Sequence, residues 1–527
     1  MSDFNDNAGT DREHPGKLAP IALVGGLLLI LVSTLKPFNF QFRSLTLGDY
    51  INRYDIPPSS FMDFPRNILL FLPFGFGLAA ILDRRGWSER RVRWAVLICG
   101  FLLTLIVESL QQFLPLRQPS VADLVSNTLG ALAGLLSFRV WQNREAAGGW
   151  LRDKLEVPRN LLAVIAFYIL ILLLIAYGLA TSVRFHQWEP DYRMLLGNEQ
   201  TEDRLWRGTI RDLAIYDRVL DSADARRLLA DPDLVLTNDA GLLAYYPLAG
   251  ENLGIEEDAT GQQPYLIWRG VEQEEIAGQP ARFDGGWLES ILSVSDLSEA
   301  LLESSQLTMR LTVATADLDQ TGPARIVTIS EDPLLRNLTL GQDGRNLILR
   351  FHSFLTGENG TNPQFNFSNV FNGTDPQAIV ITYDGQTIEM IDSQSEVSLA
   401  FDLLPGIAFF FRYLNPVLNM NPGFSQITAD TRTGWAFHLL FYLIIFLPLG
   451  ILLTLPALKA WEQTHRLLLV LGCLVVVPLL LEMAMALPSG NSVRPFYAAA
   501  GTAVIGISTF VVAPAFRILV DSVSERT

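Results

Sequence analysis

The chain is predicted to be a mixed protein: a polytopic α-helical membrane bundle of about eight spans that carries an all-β, two-sheet domain outside the membrane. Three observations predict it. Of 527 residues, 49 % are hydrophobic, yet the net charge is −16, so apolar and acidic material must be segregated along the chain. Eight apolar runs are long enough to cross a bilayer, and they fill roughly the first third and the last fifth. Between them, from about 183 to 430, lies a polar, acidic stretch of short alternating strands separated by Gly, Asp and Asn turns.

The apolar runs are 18–36, 66–82, 93–114, 121–141, 160–181, 435–456, 466–487 and 496–518. Lys and Arg in the short loops set their orientation. Arg84, Arg85, Arg90, Arg91 and Arg93 stand between spans two and three, and Arg139, Arg144, Arg152, Lys154 and Arg159 between spans four and five. Arg117 stands alone between spans three and four, and Arg494 alone between seven and eight. The arginine-rich loops fall on one side if both termini are cytoplasmic, which puts 182–431 outside. The expected domains are a cytoplasmic tail 1–17, a membrane unit 18–142, a second membrane unit from 159–181 with 432–519, and the inserted domain 182–431.

The acidic balance argues against nucleic acid as a partner. Cys99 and Cys473, the two cysteines, both lie in apolar runs and imply no disulfide framework. Residues 2–17 lack a basic cluster and no small-residue cleavage site follows 18–35, so the first run reads as a retained span rather than a signal peptide.

The membrane units repeat. Phe71-Leu-Pro-Phe-Gly75 recurs as Phe446-Leu-Pro-Leu-Gly450, Cys99 as Cys473, Glu108 as Glu482, and Gly130 as Gly501. These landmarks predict two parallel four-helix units, a known route to membrane bundles. The second copy is degenerate. Met485 and Ala486 replace Gln111 and Gln112, Tyr442 replaces Asn67, and no carboxylate stands at the place of Asp123.

The first copy concentrates polar residues at one end. Glu108, Gln111 and Gln112 share a helix face at i, i+3, i+4, and Asp123 and Asn127 share one at i, i+4. Arg117 lies in the turn between them, and Asp63 and Asn67 stand one turn apart at the start of span two. A charge within a span costs ~2.5–3.5 kcal/mol at the helix centre, so such residues face a bundle interior or a cavity. Three readings stay open: a buried hydrogen-bond network, a pocket for a polar headgroup or glycan, and a catalytic pair of carboxylates. No nucleophilic Ser/His arrangement or metal-ligand spacing accompanies the cluster. Gly130 and Gly134 form a small-xxx-small face for close helix approach, and Pro73 with Gly75 is expected to kink span two.

Three pieces carry a resemblance: Asp63-Phe-Pro-Arg-Asn67 leading to Phe71-Leu-Pro73-Phe-Gly75, Glu108-Ser-Leu-Gln111-Gln112 leading to Arg117, and Ser120-Val-Ala-Asp123-Leu-Val-Ser-Asn127-Thr-Leu-Gly130. Together they resemble the VanZ-like family, small four-span membrane proteins named for a member linked to low-level teicoplanin resistance. The resemblance covers 18–142 well and the second copy weakly. It implies an envelope role in a bacterial cytoplasmic membrane, without a defined reaction.

In the insertion, strands are expected at 306–313, 325–329, 346–351 and 378–385, a spacing that favours a sandwich. Gly241-Leu-Leu-Ala-Tyr-Tyr246 with Asp258-Ala-Thr-Gly261, Arg282-Phe-Asp284-Gly285, and Tyr383-Asp384-Gly385-Gln386 resemble the LamG-like, concanavalin A-like lectin/glucanase superfamily. The strand and short helix over 206–220 look like the element that closes such domains, but here it comes first. The resemblance therefore implies a circularly permuted jelly roll. A carbohydrate-binding role and a protein-interaction or spacer role both fit; no Glu-x-Asp-x-x-Glu pattern supports glucanase activity. The acidic loops admit calcium, with no ligand spacing to specify a site, and no other cofactor is expected.

The whole reads as a membrane protein that binds or handles cell-envelope polymers, either a glycan or a lipid-linked precursor, beside the lipid bilayer itself. Two alternatives stay open. One is a membrane enzyme acting on a lipid-linked phosphate or glycan, with Glu108 and Asp123 as acid/base groups and Arg117 as an anion clamp. The other is a scaffold for envelope-assembly proteins.

Overall fold

A computed structural model describes residues 18–36, 38–41, 63–114, 119–143, 154–231, 240–248, 254–271, 281–361, 363–394, 398–411, 431–455, 461–489 and 493–512. The chain divides into two compact units, Met1–Val157 and Pro158–Thr527.

Among the described residues, unit 1 is a bundle of four helices, α1 (Leu18–Leu35), α2 (Asp63–Arg84), α3 (Glu89–Gln111) and α4 (Val121–Gln142). Local sequence fixes their ends. Ser120 caps α4 by accepting from the Ala122 amide at 3.1 Å, Asp123 lies in the positive first turn and Arg139 in the last. Glycine decides which helices touch. A Cβ on Gly134 would lie 2.2 Å from the Leu72 carbonyl oxygen, and one on Gly75 would lie 2.0 Å from that of Ala131, so α2 and α4 meet backbone to backbone. Gly26 and Gly77 do the same for α1 and α2, where a Cβ on Gly77 would stand 2.3 Å from the Leu23 amide nitrogen. Helix α2 continues through Pro73 as a single helix. Phe71, Val96, Val107, Ala131 and Phe138 fill the interior. Ile21, Leu69, Ile106 and Leu136 instead point outward and exposed, as side chains that face lipid do.

Unit 2 contains helices α5 (Pro158–Ser182), α9 (Arg432–Leu452), α10 (Gln463–Ala486) and α11 (Pro495–Ile507), with the β-domain between α5 and α9. Seven helices in the two units are long and apolar enough to cross a membrane among the described residues. The eighth expected span appears as α11 and a π-helical extension, Ser508–Val512; residues 513–518 of it lie outside the described residues. The repeat has a physical counterpart. A Cβ on Gly501 would lie 2.8 Å from the Phe446 ring, while the equivalent Gly130 meets the Phe71 side chain at 2.9 Å. Gly77 has Leu452 as its counterpart, which removes the close approach that seats α1 on α2. In unit 2 the first helix packs against both α9 and α10.

The β-domain is a pair of antiparallel sheets. Its strands are β1 (Arg193–Leu196), β2 (Gly208–Tyr216), β3 (Leu242–Tyr246), β4 (Ile255–Glu256), β5 (Leu266–Arg269), β6 (Arg282–Phe283), β7 (Trp287–Ser290) and β8 (Leu307–Thr315). They continue with β9 (Ala324–Ser330), β10 (Arg336–Asp343), β11 (Asn346–Phe351), β12 (Phe365–Phe367), β13 (Gln377–Tyr383), β14 (Thr387–Asp392) and β15 (Leu399–Asp402). Short helices α6 (Ser222–Ala230), α7 (Ser295–Ser304) and α8 (Pro405–Phe409) complete it. One sheet runs β12-β11-β10-β9-β1-β7-β5-β4; the other runs β15-β14-β13-β8-β2-β3, with β6 beside β2.

Period-two alternation explains the strands. Leu347, Leu349 and Phe351 of β11 enter the core, while Arg350 on the opposite face donates to Gln364 Oε1 at 2.9 and 2.6 Å. The sequence landmarks prove to be turn chemistry. Asp258 accepts from the amides of Tyr245, Gln262 and Gln263 at 2.8–2.9 Å, and Gly261 takes a φ of +70° behind it. Asp384 does the same for Gln386 and Thr387 at the β13–β14 turn, with Gly385 at +87°. The strand expected within 206–220 is β2, which pairs antiparallel with β3; the short helix, α6, comes just after that stretch, at Ser222–Ala230.

Among the described residues, two ion pairs lie buried in the sandwich: Arg310 with Asp212, and Arg325 with Glu199 at 2.8 Å. Burial of charge holds only with such partners. The sandwich is tied to the unit 2 helices. Tyr383 Oη donates to the Val183 carbonyl at 2.6 Å, the Leu355 amide donates to the Ser182 carbonyl at 2.8 Å, and Phe410 stacks on Phe437 at 3.7 Å.

Candidate functional site

Four helix ends of unit 1 meet in a polar layer. Asn67, one turn into α2, donates from Nδ2 to Asp123 Oδ1 at 2.7 Å and to Ser126 Oγ at 3.3 Å, both on α4. Asn127 Nδ2 donates to Thr104 Oγ1 on α3 at 2.9 Å, with both residues buried. Glu108, near the end of α3, accepts from the Ser120 amide at 3.1 Å and so ties α3 to the first turn of α4. Gln111 Nε2 donates to the Thr34 carbonyl of α1 at 3.1 Å, and Gln112 is buried beside it in the sequence at the end of α3.

The spacing rules account for this arrangement. Residues at i and i+4 on α4 put Asp123 toward α2 and Asn127 toward α3, so one helix serves two neighbours. Inside a low-dielectric bundle an unpaired polar group costs several kcal/mol, so every helix end offers the others a partner. The layer is not uniform in exposure. Glu108, Gln111, Gln112 and Asn127 are buried, whereas Asp123 is half-buried. Asp123 also stands in the first turn of α4, where the helix dipole favours its anionic form.

Of the eight residues singled out in the sequence, the structure brings together Asn67, Glu108, Gln111, Gln112, Asp123 and Asn127. Asp63 opens α2, with its side chain outside the described atoms, and Arg117 lies outside the described residues. Sequence reasoning missed Thr34, Thr104, Ser120 and Ser126, which complete the layer. Thr104 was open to discovery, since it sits four residues before Glu108 on the same face of α3. The Thr34 carbonyl and the Ser120 amide were not, because a backbone group leaves no mark in the residue types. Among the described residues no group of three or more His, Cys, Asp or Glu is placed to hold a metal ion.

In unit 2 the equivalent positions are filled by another set. Tyr442, at the position of Asn67, donates its hydroxyl to Glu482, at the position of Glu108. His438 lies one turn before Tyr442, at the position of Asp63, and is buried.

Helices of this length and outward apolarity, with the polar side chains turned to one another, define a multi-pass membrane protein that carries a β-sandwich. A family model described as VanZ/LLP1 matches residues 20–142, the stretch that forms α1 to α4, so unit 1 holds a VanZ-like membrane domain. No curated protein matches the chain. No solved structure matches it either.

Proposed function

We propose that the protein binds or handles a cell-envelope polymer, a glycan or its lipid-linked precursor, at the polar layer of unit 1. The observation that supports this most is Asp123: a carboxylate half-buried in the first turn of α4, beside the half-buried Asn67, while Glu108, Gln111, Gln112 and Asn127 are buried. Its negative charge at that half-buried position suits the hydroxyls of a sugar or a donor group on a lipid headgroup. The arginine-rich loops favour an orientation in which this layer, and the sandwich, face away from the cytoplasm. In this reading both termini are cytoplasmic, and the location is the bacterial cytoplasmic membrane.

The sandwich is the second binding element in this reading. A circularly permuted LamG-like jelly roll requires the original terminal strands to be neighbours, and the antiparallel pairing of β2 with β3 supports it. Glycan, protein and calcium remain separate ligands to test there, since a jelly roll does not name its ligand.

A scaffold reading has its own support. Asn67, Gln111 and Asn127 each spend a donor on a neighbouring helix, as a purely structural seam would. Native mass spectrometry of the full chain, extracted gently from its own membrane, separates the two. Lipid-linked glycan retained on the chain supports binding; a chain that carries only bulk phospholipid, and that retains no added lipid-linked glycan, supports the scaffold.

A further inference from the structure

At the junction of the sandwich with the unit 2 helices lies a cavity of about 20 Å3. His438 on α9, Glu482 on α10 and Arg494 at the start of α11 wall it, and Gln386 and Pro405 of the sandwich roof it. These polar walls are not spent on one another. Glu482 is held from one side by the Tyr442 hydroxyl. Arg494 stands at the N-cap of α11 and makes no ion pair among the described residues, although a carboxylate borders the same cavity. His438 is 1 % exposed, and its Nδ1 has no hydrogen-bond partner. The α8 backbone closes over it so tightly that a Cβ on Gly406 would lie 2.7 Å from that nitrogen.

A carboxylate and a guanidinium that reach one secluded cavity ordinarily pair, because a charge-assisted contact is strong and an unpaired buried charge is costly. Here Glu482 is instead bonded to Tyr442. An orphaned imidazole nitrogen sits in the same wall, where a buried polar atom without a partner calls for an explanation. Opposite charges on two walls suit a ligand that itself carries both signs.

We infer that this cavity takes the primary ammonium of a zwitterionic phosphate-ester headgroup. The ammonium enters toward Glu482, and the phosphate, too large for the cavity, stays at its rim against the half-buried Arg494. Size sets the selectivity. A cavity of about 20 Å3 holds one water-sized group. A primary ammonium is of that size, whereas a trimethylammonium, with its three added methyls, is excluded. The cavity lies at the ends of the unit 2 spans, the depth at which bilayer headgroups sit, so phosphatidylethanolamine is one source and a soluble ethanolamine phosphodiester the other. The site belongs to unit 2 and stands or falls separately from the layer of unit 1.

The test uses the full chain in detergent, with native mass spectrometry as readout. Phosphatidylethanolamine, phosphatidylcholine and phosphatidylglycerol of equal chain length are offered in turn, with glycerophosphoethanolamine as the soluble competitor. The expected result is retention of phosphatidylethanolamine at least about tenfold above the other two, a difference of about 1.4 kcal/mol. Glu482→Gln and Arg494→Gln should each erase that preference while leaving phosphatidylcholine retention unchanged. Competition by glycerophosphoethanolamine would assign the binding to the headgroup alone; lack of competition, with the lipid preference intact, would assign it to the lipid. Equal retention of the three lipids by the unmodified chain overturns the proposal and needs no variant to fold. So does an unchanged preference in both variants.

Discussion

Gly130 on α4 lies against Phe71 on α2 so closely that its missing Cβ would stand 2.9 Å from the Phe71 side chain, and their counterparts Gly501 and Phe446 meet in unit 2. Small residues at these crossings let backbones approach where lipid supplies no hydrophobic drive. Gly134→Ala should therefore destabilise unit 1, because the new methyl meets the Leu72 carbonyl oxygen at 2.2 Å and backbone must move. Overpacking of this kind costs about 1–3 kcal/mol. Gly25→Ala, with nothing within 4 Å of its Cβ, should melt as the unmodified protein does. Melting in detergent checks both, and equal effects would deny the close crossing.

In the sandwich, Glu199 is the buried partner of Arg325. Glu199→Ala should cost about 3–5 kcal/mol, since it strands a guanidinium that is 1 % exposed. Adding Arg325→Leu should recover much of the loss. A double variant no more stable than the single one would show that the pair is not the source of the effect.

Acid should weaken the same domain through His352. Burial, with His186 close by, lowers its pKa from 6.5 to about 4 in the folded state. The unfolded chain binds that proton near pH 6.5, so it holds more protons than the folded chain between the two values, and stability falls as pH drops from 6.5 toward 4. The full loss is of order 3 kcal/mol at 1.36 kcal/mol per unit. His352→Asn should flatten the decline in melting temperature across that range; a slope equal to that of the unmodified protein would assign the acid sensitivity elsewhere.

Much of this was legible in the sequence. Apolar length gave the spans, alternation gave strands such as β11 and β13, and the glycines 130 and 134 announced a close helix face. What could not be read depends on residues distant in the chain. The α1–α2 contact rests on Gly26 meeting the Phe74 backbone, a pairing that no local pattern encodes. Pro73, where a kink was expected, lies inside the single helix α2, and Gly75 beside it serves approach to Ala131. The second copy looked worn when matched against the first residue by residue. Its polar cavity became visible only once the sandwich supplied Gln386 and Pro405 as a roof.

The orientation drawn from the arginine loops has a direct check. Single cysteines at Ser120 and Ser368, in a background lacking Cys99 and Cys473, should react with an impermeant thiol reagent in intact spheroplasts. One at Ser88 should react only after lysis. Reaction of the Ser88 variant in intact cells would invert the arrangement and place the polar layer in the cytoplasm.

The central claim is that the polar layer binds a ligand through Asp123 and is not only a seam. Asp123→Asn keeps an acceptor for the Asn67 amide and removes the charge. Asn127→Ala removes the buried bond to Thr104 instead. The decisive measurement is the affinity of the full chain for lipid-linked glycan, taken beside its melting temperature, for these two variants. Asp123→Asn should bind at least about tenfold more weakly, equivalent to about 1.4 kcal/mol, with stability unchanged within about 0.5 kcal/mol. Asn127→Ala should lose about 1–3 kcal/mol of stability. If Asp123→Asn binds as tightly as the unmodified chain, or loses binding only in step with its melting, the layer is structural and the account is contradicted.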